Sequence, residues 1–328
     1  MTRPRAYLEL FAGGAACALA LLGGASVVPP VGYMGGKRKL ASVILGAAGL
    51  HIGQGAERLL LVDAGEWGGV WQEILRDGRG LADRMLAWVG CDPSDLWRDL
   101  AAAGRPDDPQ ERAAAYLWLQ GRAASCTPVW WQAGLPDPPR GVARQATARG
   151  ERLVMADKPG RPAQRAQEKG RCSVGSGIMR PSTVAHRIIK AHAALSVVDV
   201  LVRRSHPTAD EVATWLETPG DLRGVVVVLD PPYVGATRYE ATCSRAEVVT
   251  LADDYRRLGA MVFVCEAEAI PELLATGWHA LDLRDATGKG GKPEWLTCSD
   301  PPHQAHRRQI SIPFQPSGRR LHGLHVPG

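Results

Sequence analysis

Nowhere in the 328 residues do eighteen apolar residues run together, which removes any candidate transmembrane helix at the level of sequence. The opening MTRPRAY leads into a stretch holding Glu9, so a secretory leader is not indicated and a cytoplasmic location is the default expectation. Cysteine is present, but never as CxxC: the seven are scattered at 17, 91, 126, 172, 243, 265 and 298. An odd, unpaired set argues against a disulfide framework and a zinc ribbon, and reduced thiols are expected. No internal repeat is present, and the tail 301–328 holds no acid at all among its Pro, Gly, His and Arg residues. Such a tail is expected to be loosely ordered.

What the chain does contain suits a large globular core. Hydrophobic residues make up 45%, and the length fits one large domain or a domain with an insertion. The net charge of +5 is unevenly spread. Residues 131–180 hold ten Lys/Arg against four Asp/Glu, an excess of six in one segment, which suits a polyanion such as nucleic acid.

The pattern along the chain predicts strands alternating with helices. AYLELF (6–11) reads as a strand, followed by the glycine turn AGGAA and a short apolar helix ended by Gly23-Gly24. After the linker SVVPPVG, the glycine-lysine turn of YMGGKRKL opens a second helix; ERLLLVDAG reads as a buried strand, and two helices follow it. Between 121 and 182 the apolar periodicity fades and Pro, Gly, Arg and Gln dominate, which marks an insertion. Helix returns at PSTVAHRIIKAHAAL, with Ser182 or Thr183 as expected cap. Then come the strand VVDVLVRR, a helix, the strand VVVVLD, a helix at 244–258, the strand AMVFVCEA, a short helix near 269–275, and the strands WHALDLRD and EWLTCS. Several strands are continuous apolar runs, so the expected fold is α/β with a mostly parallel sheet covered on both faces.

In such a sheet ligands bind beyond the carboxyl ends of the strands, and three informative turns fall there: FAGGAA, VDAG and DPPY. Gly13 and Gly14 let the backbone approach a ligand and turn into a helix N-terminus, whose dipole favours a carboxylate or phosphate. Asp63, ending the second strand, is placed to accept both hydroxyls of a ribose. A nucleoside-containing cofactor fits these two turns. The third turn is the most specific. Pro231 and Pro232 cannot continue a central strand, because proline lacks the amide donor and has a fixed φ. They end VVVVL in a rigid loop that presents the Asp230 carboxylate, the Pro231 carbonyl and the Tyr233 ring. An acceptor pair holds the two hydrogens of an amino group while an aromatic face stacks on the ring bearing it; a flipped nucleobase suits this constellation.

DPPY, ELFAGGAA, LLLVDAG, YMGGKRKL and GKPEWLTCS together resemble the Dam-type DNA adenine-N6 methyltransferases of phage and bacterial type, over most of 6–75 and 183–300. The resemblance implies a Rossmann-like S-adenosylmethionine-dependent methyltransferase fold with an inserted target-recognition segment. The core would be 1–120 with 183–300, and the insertion 121–182. It implies that Glu9, Phe11, Ala12, Gly13 and Gly14 surround the cofactor, and that Tyr33, Gly36 and Lys37 reach its methionine part, Lys37 pairing with the carboxylate. Asp63 would bind the ribose, Asp230 and the Pro231 carbonyl would orient the target amine, Pro232 would stiffen the loop, and Tyr233 would stack on the adenine. No metal or nucleophilic side chain is required, since the sulfonium methyl is already activated and the exocyclic nitrogen need only be aimed in line. Double-stranded DNA is the implied partner, in a bacterial, archaeal or phage-infected cytoplasm, with a monomer or weak dimer and an accompanying restriction enzyme as further expectations. Within the insertion and the late glycine loop, Arg122, Trp130, Arg180, Lys289 and Lys292 are the candidate DNA contacts.

The chain departs from the family pattern in two places: YMGGK follows the cofactor loop where the family has it first, and Ala15 stands where a further glycine is common. Three other readings stay open at this stage: amino-group methylation of cytosine or of RNA, a DNA-binding protein that has lost catalysis, and a dinucleotide-dependent oxidoreductase built on the glycine turn and Asp63. The oxidoreductase gives DPPY no role. A metal site at Cys298, His303 and His306 lacks a fourth ligand, Asp253-Asp254 reads as a solvated helix face, and Ser205-His206 has no triad partner in evident order.

Overall fold

A computed structural model describes residues 3–32, 37–91, 96, 99–100, 103–122, 180–233, 243–283 and 294–303. Tyr33, Gly36, Trp130, Lys289, Lys292 and His306 lie outside the described residues, as does nearly all of the insertion.

Seven strands form one sheet: β1 (Ala6–Leu10), β2 (Arg58–Val62), β3 (Asp199–Arg203), β4 (Val225–Leu229), β5 (Met261–Glu266), β6 (His279–Asp282) and β7 (Trp295–Cys298). Their spatial order is β3-β2-β1-β4-β5-β7-β6. All neighbouring pairs from β3 to β5 are parallel, and β7 runs antiparallel to both β5 and β6. The first five positions follow the 3-2-1-4-5 order of doubly wound sheets, and β7 lies between β5 and β6. The fold is therefore α/β with a mostly parallel mixed sheet, consistent with the Rossmann-like expectation.

Strand alternation sorts the side chains into two cores, one on each face. Tyr7, Leu59, Leu61, Val226 and Val228 bury against α1 (Ala16–Gly23), α2 (Ala41–Ala47), α3 (Glu66–Ala87), α4 (Pro109–Arg122) and α5 (Pro181–Leu195). Ala6, Leu8, Leu10, Val225, Val227 and Leu229 face α6 (Ala209–Trp215), α7 (Arg245–Arg257) and α8 (Pro271–Leu274). The continuous run VVVVL is thus explained: both faces of β4 are covered, and each buried valine contributes roughly 1.5–3 kcal/mol.

Local signals set the helix starts. Thr208 with Glu211, and Ser244 with Glu247, form reciprocal capping boxes that open α6 and α7. The expected cap of α5 is corrected. Arg180 stands at the N-cap with Pro181 in the first turn, because proline has no amide to satisfy there; Ser182 and Thr183 lie inside the helix. α4 runs to Arg122 and α5 begins at Pro181, so helix trims each end of the insertion by two residues.

Candidate active site

Register brings the motif turns to one level. Leu10 of β1 pairs with Val62 of β2 and with Leu229 of β4, so Phe11, Asp63 and Asp230 are the residues that leave the sheet side by side. Two backbone bonds extend the ladder one step further: Ala12 N donates to Val62 O at 2.8 Å and Asp230 N to Leu10 O at 3.1 Å. β1 is flanked by the earlier strand β2 on one side and the later strand β4 on the other, which is the switch point where such sheets hold ligands.

The FAGGAA turn is held from two directions. Gly13 takes a positive φ of 45°, available to glycine without a steric cost. Its N–H donates to Asp63 Oδ2 at 2.8 Å, and its carbonyl accepts from Trp71 Nε1 at 2.7 Å. Trp71 stacks on Trp67 one helical turn earlier, with ring centroids 5.6 Å apart, so the loop is anchored to the first turns of α3. Asp63 Oδ1 meanwhile accepts from Gly65 N at 2.9 Å. Both oxygens of the expected ribose acid thus brace the glycine turn and the start of α3. Burial raises the Asp63 carboxyl, and the Gly13 and Gly65 amides oppose that rise.

The place expected for an anion at the N-terminus of α1 is taken by a carboxyl group of the chain itself. Glu9, on the central strand, accepts from Ala18 N at 2.7 Å, and the N-cap Ala15 has no side-chain bond to offer. Glu9 is 4% exposed. Burial lifts its carboxyl to about 8, against the lowering effect of the Ala18 amide. Phe11 takes φ 60°, and it packs with the opposite core, where its ring lies 4.0 Å from that of His206. Gly14 faces Pro29, which a Cβ there would meet at 3.3 Å.

The DPPY loop meets the segment that is out of order in the sequence. Lys37 opens a short 3-10 turn, Lys37–Lys39, and is buried. Its Nζ lies 2.6 Å from Asp230 Oδ1, donates to the Tyr233 hydroxyl at 2.8 Å, and lies 3.3 Å from Glu294 Oε1. Tyr233 donates in turn to Glu294 Oε1. Burial raises Asp230 to about 6 even though Lys37 pulls it down. For Lys37, burial works against the ammonium, but Asp230, Tyr233 and Glu294 outweigh it and the group is held above its ordinary range.

Sequence-level candidates therefore converge unevenly. Glu9, Phe11, Ala12, Gly13, Gly14, Lys37, Asp63, Asp230, Pro231, Pro232 and Tyr233 line one edge of the sheet or the turns just beyond it, and Lys37 turns its ammonium onto the DPPY loop. Arg180 is exposed, and of Arg122 only the helical backbone is described. Two contributors were missed. Glu294 falls within GKPEWLTCS, and its sequence signal is a lone acid just before a strand, meaningful once that strand is known to be antiparallel. Trp71 was read as a helix residue, and its spacing of four from Trp67 was the available sign of a packed pair. Compared with protein-family models and with the curated proteins, the chain matches none.

Proposed function

We propose that the chain is a DNA methyltransferase that moves a methyl group from S-adenosylmethionine to the exocyclic N6 amino group of adenine, acting on a base flipped out of the duplex. The observation that carries the reading is the 2.6 Å pairing of Lys37 with Asp230. It unites YMGGK with DPPY beside the FAGGAA and VDAG turns, although their order along the chain differs from that of the family the sequence resembles.

The electrostatics favour this cofactor over a dinucleotide. A pyrophosphate needs amides at the N-terminus of α1, but Glu9 already takes the Ala18 amide there. The residues fit the cofactor in further ways: Gly13 and Gly14 offer backbone approach, and Asp63 retains lone pairs beyond those its two amide partners use.

The bound cofactor would supply an activated methyl group. The chain's own part is to aim the amine. Asp230 and the Pro231 carbonyl accept its two N–H bonds, which directs the nitrogen lone pair toward the cofactor, and Tyr233 stacks on the base. Mass spectrometry of nucleosides from unmethylated genomic DNA, after incubation with the protein and S-adenosylmethionine, tests the reading. N6-methyladenine is the expected product. N4-methylcytosine alone would replace the substrate base, and calorimetric binding of NAD without S-adenosylmethionine would overturn the cofactor.

A further inference from the structure

Glu294 has no part in the reading above, yet it closes the ring of contacts around Lys37 and Tyr233. Because β7 is antiparallel, its N-terminal end lies at the edge where the parallel strands present their C-terminal turns. Trp295 pairs with Glu266 of β5, so Glu294 stands one residue beyond the last paired position, level with the loops of the cleft. Its backbone is fixed there, since the Glu294 carbonyl accepts from Leu283 N at 2.8 Å. Its side chain is only 12% exposed.

This placement determines what holds the Tyr233 ring. The DPPY prolines stiffen the backbone, but a tyrosine side chain keeps two rotatable bonds. The phenol donates to Glu294 Oε1 and accepts from Lys37 Nζ at 2.8 Å, so the far end of the ring is tied to the sheet through β7. Both tied ends lie on the axis about which the ring turns, so the plane is set by the phenol O–H, which prefers to lie in the ring plane and points at Glu294. Lys37 Nζ has three donors, and they face Asp230 Oδ1, the Tyr233 hydroxyl and Glu294 Oε1.

Resting on the proposed function, we infer that Glu294 is a positioning residue for base methylation, acting through the Tyr233 hydroxyl to hold the ring in the plane that stacks on the flipped base. Its effect belongs to kcat, because it orients a reactant and makes no contact with the cofactor.

The test measures methyl transfer to unmethylated genomic DNA, with cofactor affinity followed by calorimetry, for wild type, Glu294→Ala, Glu294→Gln, Tyr233→Phe and the double variant Tyr233→Phe/Glu294→Ala. Glu294→Ala is expected to lower kcat by roughly 10- to 100-fold, the scale of a misplaced reactant, with cofactor affinity unchanged. Glu294→Gln, whose amide oxygen still accepts from the phenol, should stay within about 5-fold of wild type. In the Tyr233→Phe background, Glu294→Ala should cost nothing further. A wild type that transfers no methyl overturns the proposed function, and this inference with it. A wild type that is active, together with Glu294→Ala within about 2-fold of it or a full additive loss in the double variant, overturns the inference alone. Where Glu294→Ala does not fold, Tyr233→Phe decides: its loss must match that 10- to 100-fold range, and full activity refutes the role.

Discussion

Lys37 and Asp230 form a buried ion pair, Nζ to Oδ1 2.6 Å, with side chains 5% and 19% exposed. Removing two charges from water is costly, and good geometry with further hydrogen bonds is needed to offset that cost. Both conditions are met, because Lys37 also donates to Tyr233. The arrangement has a consequence for the proposed chemistry. One Asp230 oxygen, Oδ1, already accepts from the ammonium, so the target amine must use the other oxygen or share Oδ1 with Lys37. The carboxylate of the methionine part of the cofactor is a competing partner for that ammonium, and drawing Lys37 toward it would release Asp230.

The acid limb of the activity profile follows from the same pair. Asp230 accepts hydrogen bonds through both oxygens only when ionised, and burial has raised it to about 6. Methyl transfer should rise with pH through about 6. Lys37 lowers the Asp230 carboxyl, so Lys37→Met should push it higher and move the acid limb toward neutral pH. Breaking one side of the pair should also cost on the order of 3 kcal/mol in a denaturant titration. A pH–rate profile of Lys37→Met with an unchanged acid limb would contradict the assignment.

Glu9 makes a stability prediction that does not depend on function. Its carboxyl is raised from 4.5 to about 8, first by burial. A raised carboxyl means that the folded chain holds its proton more tightly than the unfolded chain does. The associated stabilisation is complete below about 4.5 and is lost as pH rises toward about 8. At 1.36 kcal/mol per pKa unit the change is on the order of 5 kcal/mol. Glu9→Gln keeps an oxygen for the Ala18 amide and does not titrate. Its stability relative to wild type should therefore improve steadily between pH 5 and pH 8, which chemical denaturation at several pH values measures. A constant difference across that window would show that Glu9 does not carry the buried proton.

How far the sequence could be read depended on the kind of signal. Continuous apolar runs such as VVVVL required burial on both faces, and the sheet supplies it; the helix expected at 244–258 matches α7 to within a residue at each end. Asp63, Asp230 and Gly13 were legible as neighbours, because each is the last or nearly the last residue before a turn at the same sheet edge. Partnerships were not legible. Nothing local says that Glu9 reaches the amides of α1, that Lys37 turns to Asp230, or that Glu294 arrives from an antiparallel strand. These contacts depend on spatial strand order and direction, and the sequence lists only succession. Ser182 and Thr183 fail as caps for a simpler reason: a proline in the first turn fixes the helix start two or three residues earlier.

The glycine turn should fail if its supports are disturbed. A Cβ on Gly68 would come within 2.2 Å of the Asp63 carbonyl oxygen, a backbone atom that moves only if the β2–α3 turn moves. Gly68→Ala is expected to destabilise by roughly 1–3 kcal/mol and to weaken cofactor binding, since Asp63 holds the Gly13 amide. Trp71→Phe tests the other side. It leaves the buried Gly13 carbonyl without the indole donor, at a cost of about 1–3 kcal/mol. If thermal unfolding and cofactor titration show both variants equal to wild type, the loop is not held as described.

We propose that the segment 121–182 carries DNA recognition, and the described elements at its two ends lie as follows. Gly121, at the end of α4, packs so near Val31 that a Cβ would meet Val31 Cγ1 at 3.1 Å, and Val31 stands two residues before Tyr33. The re-entry helix α5 ends three residues before β3 begins. Its C-terminus is therefore at the far edge of the sheet. A 15-residue helix rises about 22 Å, which returns Arg180 toward the edge that holds the candidate site. Arg187 on this helix is lowered chiefly by burial and further by Arg38, the neighbour of Lys37, so basic side chains already approach each other beside the cleft. A segment with ten Lys/Arg between these anchors would face DNA phosphates, whose contacts make affinity fall steeply with salt. Replacing 131–180 with a short Gly/Ser linker should abolish DNA binding in a mobility-shift assay and leave cofactor affinity intact. Undiminished, sequence-specific binding by that variant would assign recognition to the core, where Arg38, Lys39 and Arg187 would be the residues to substitute next.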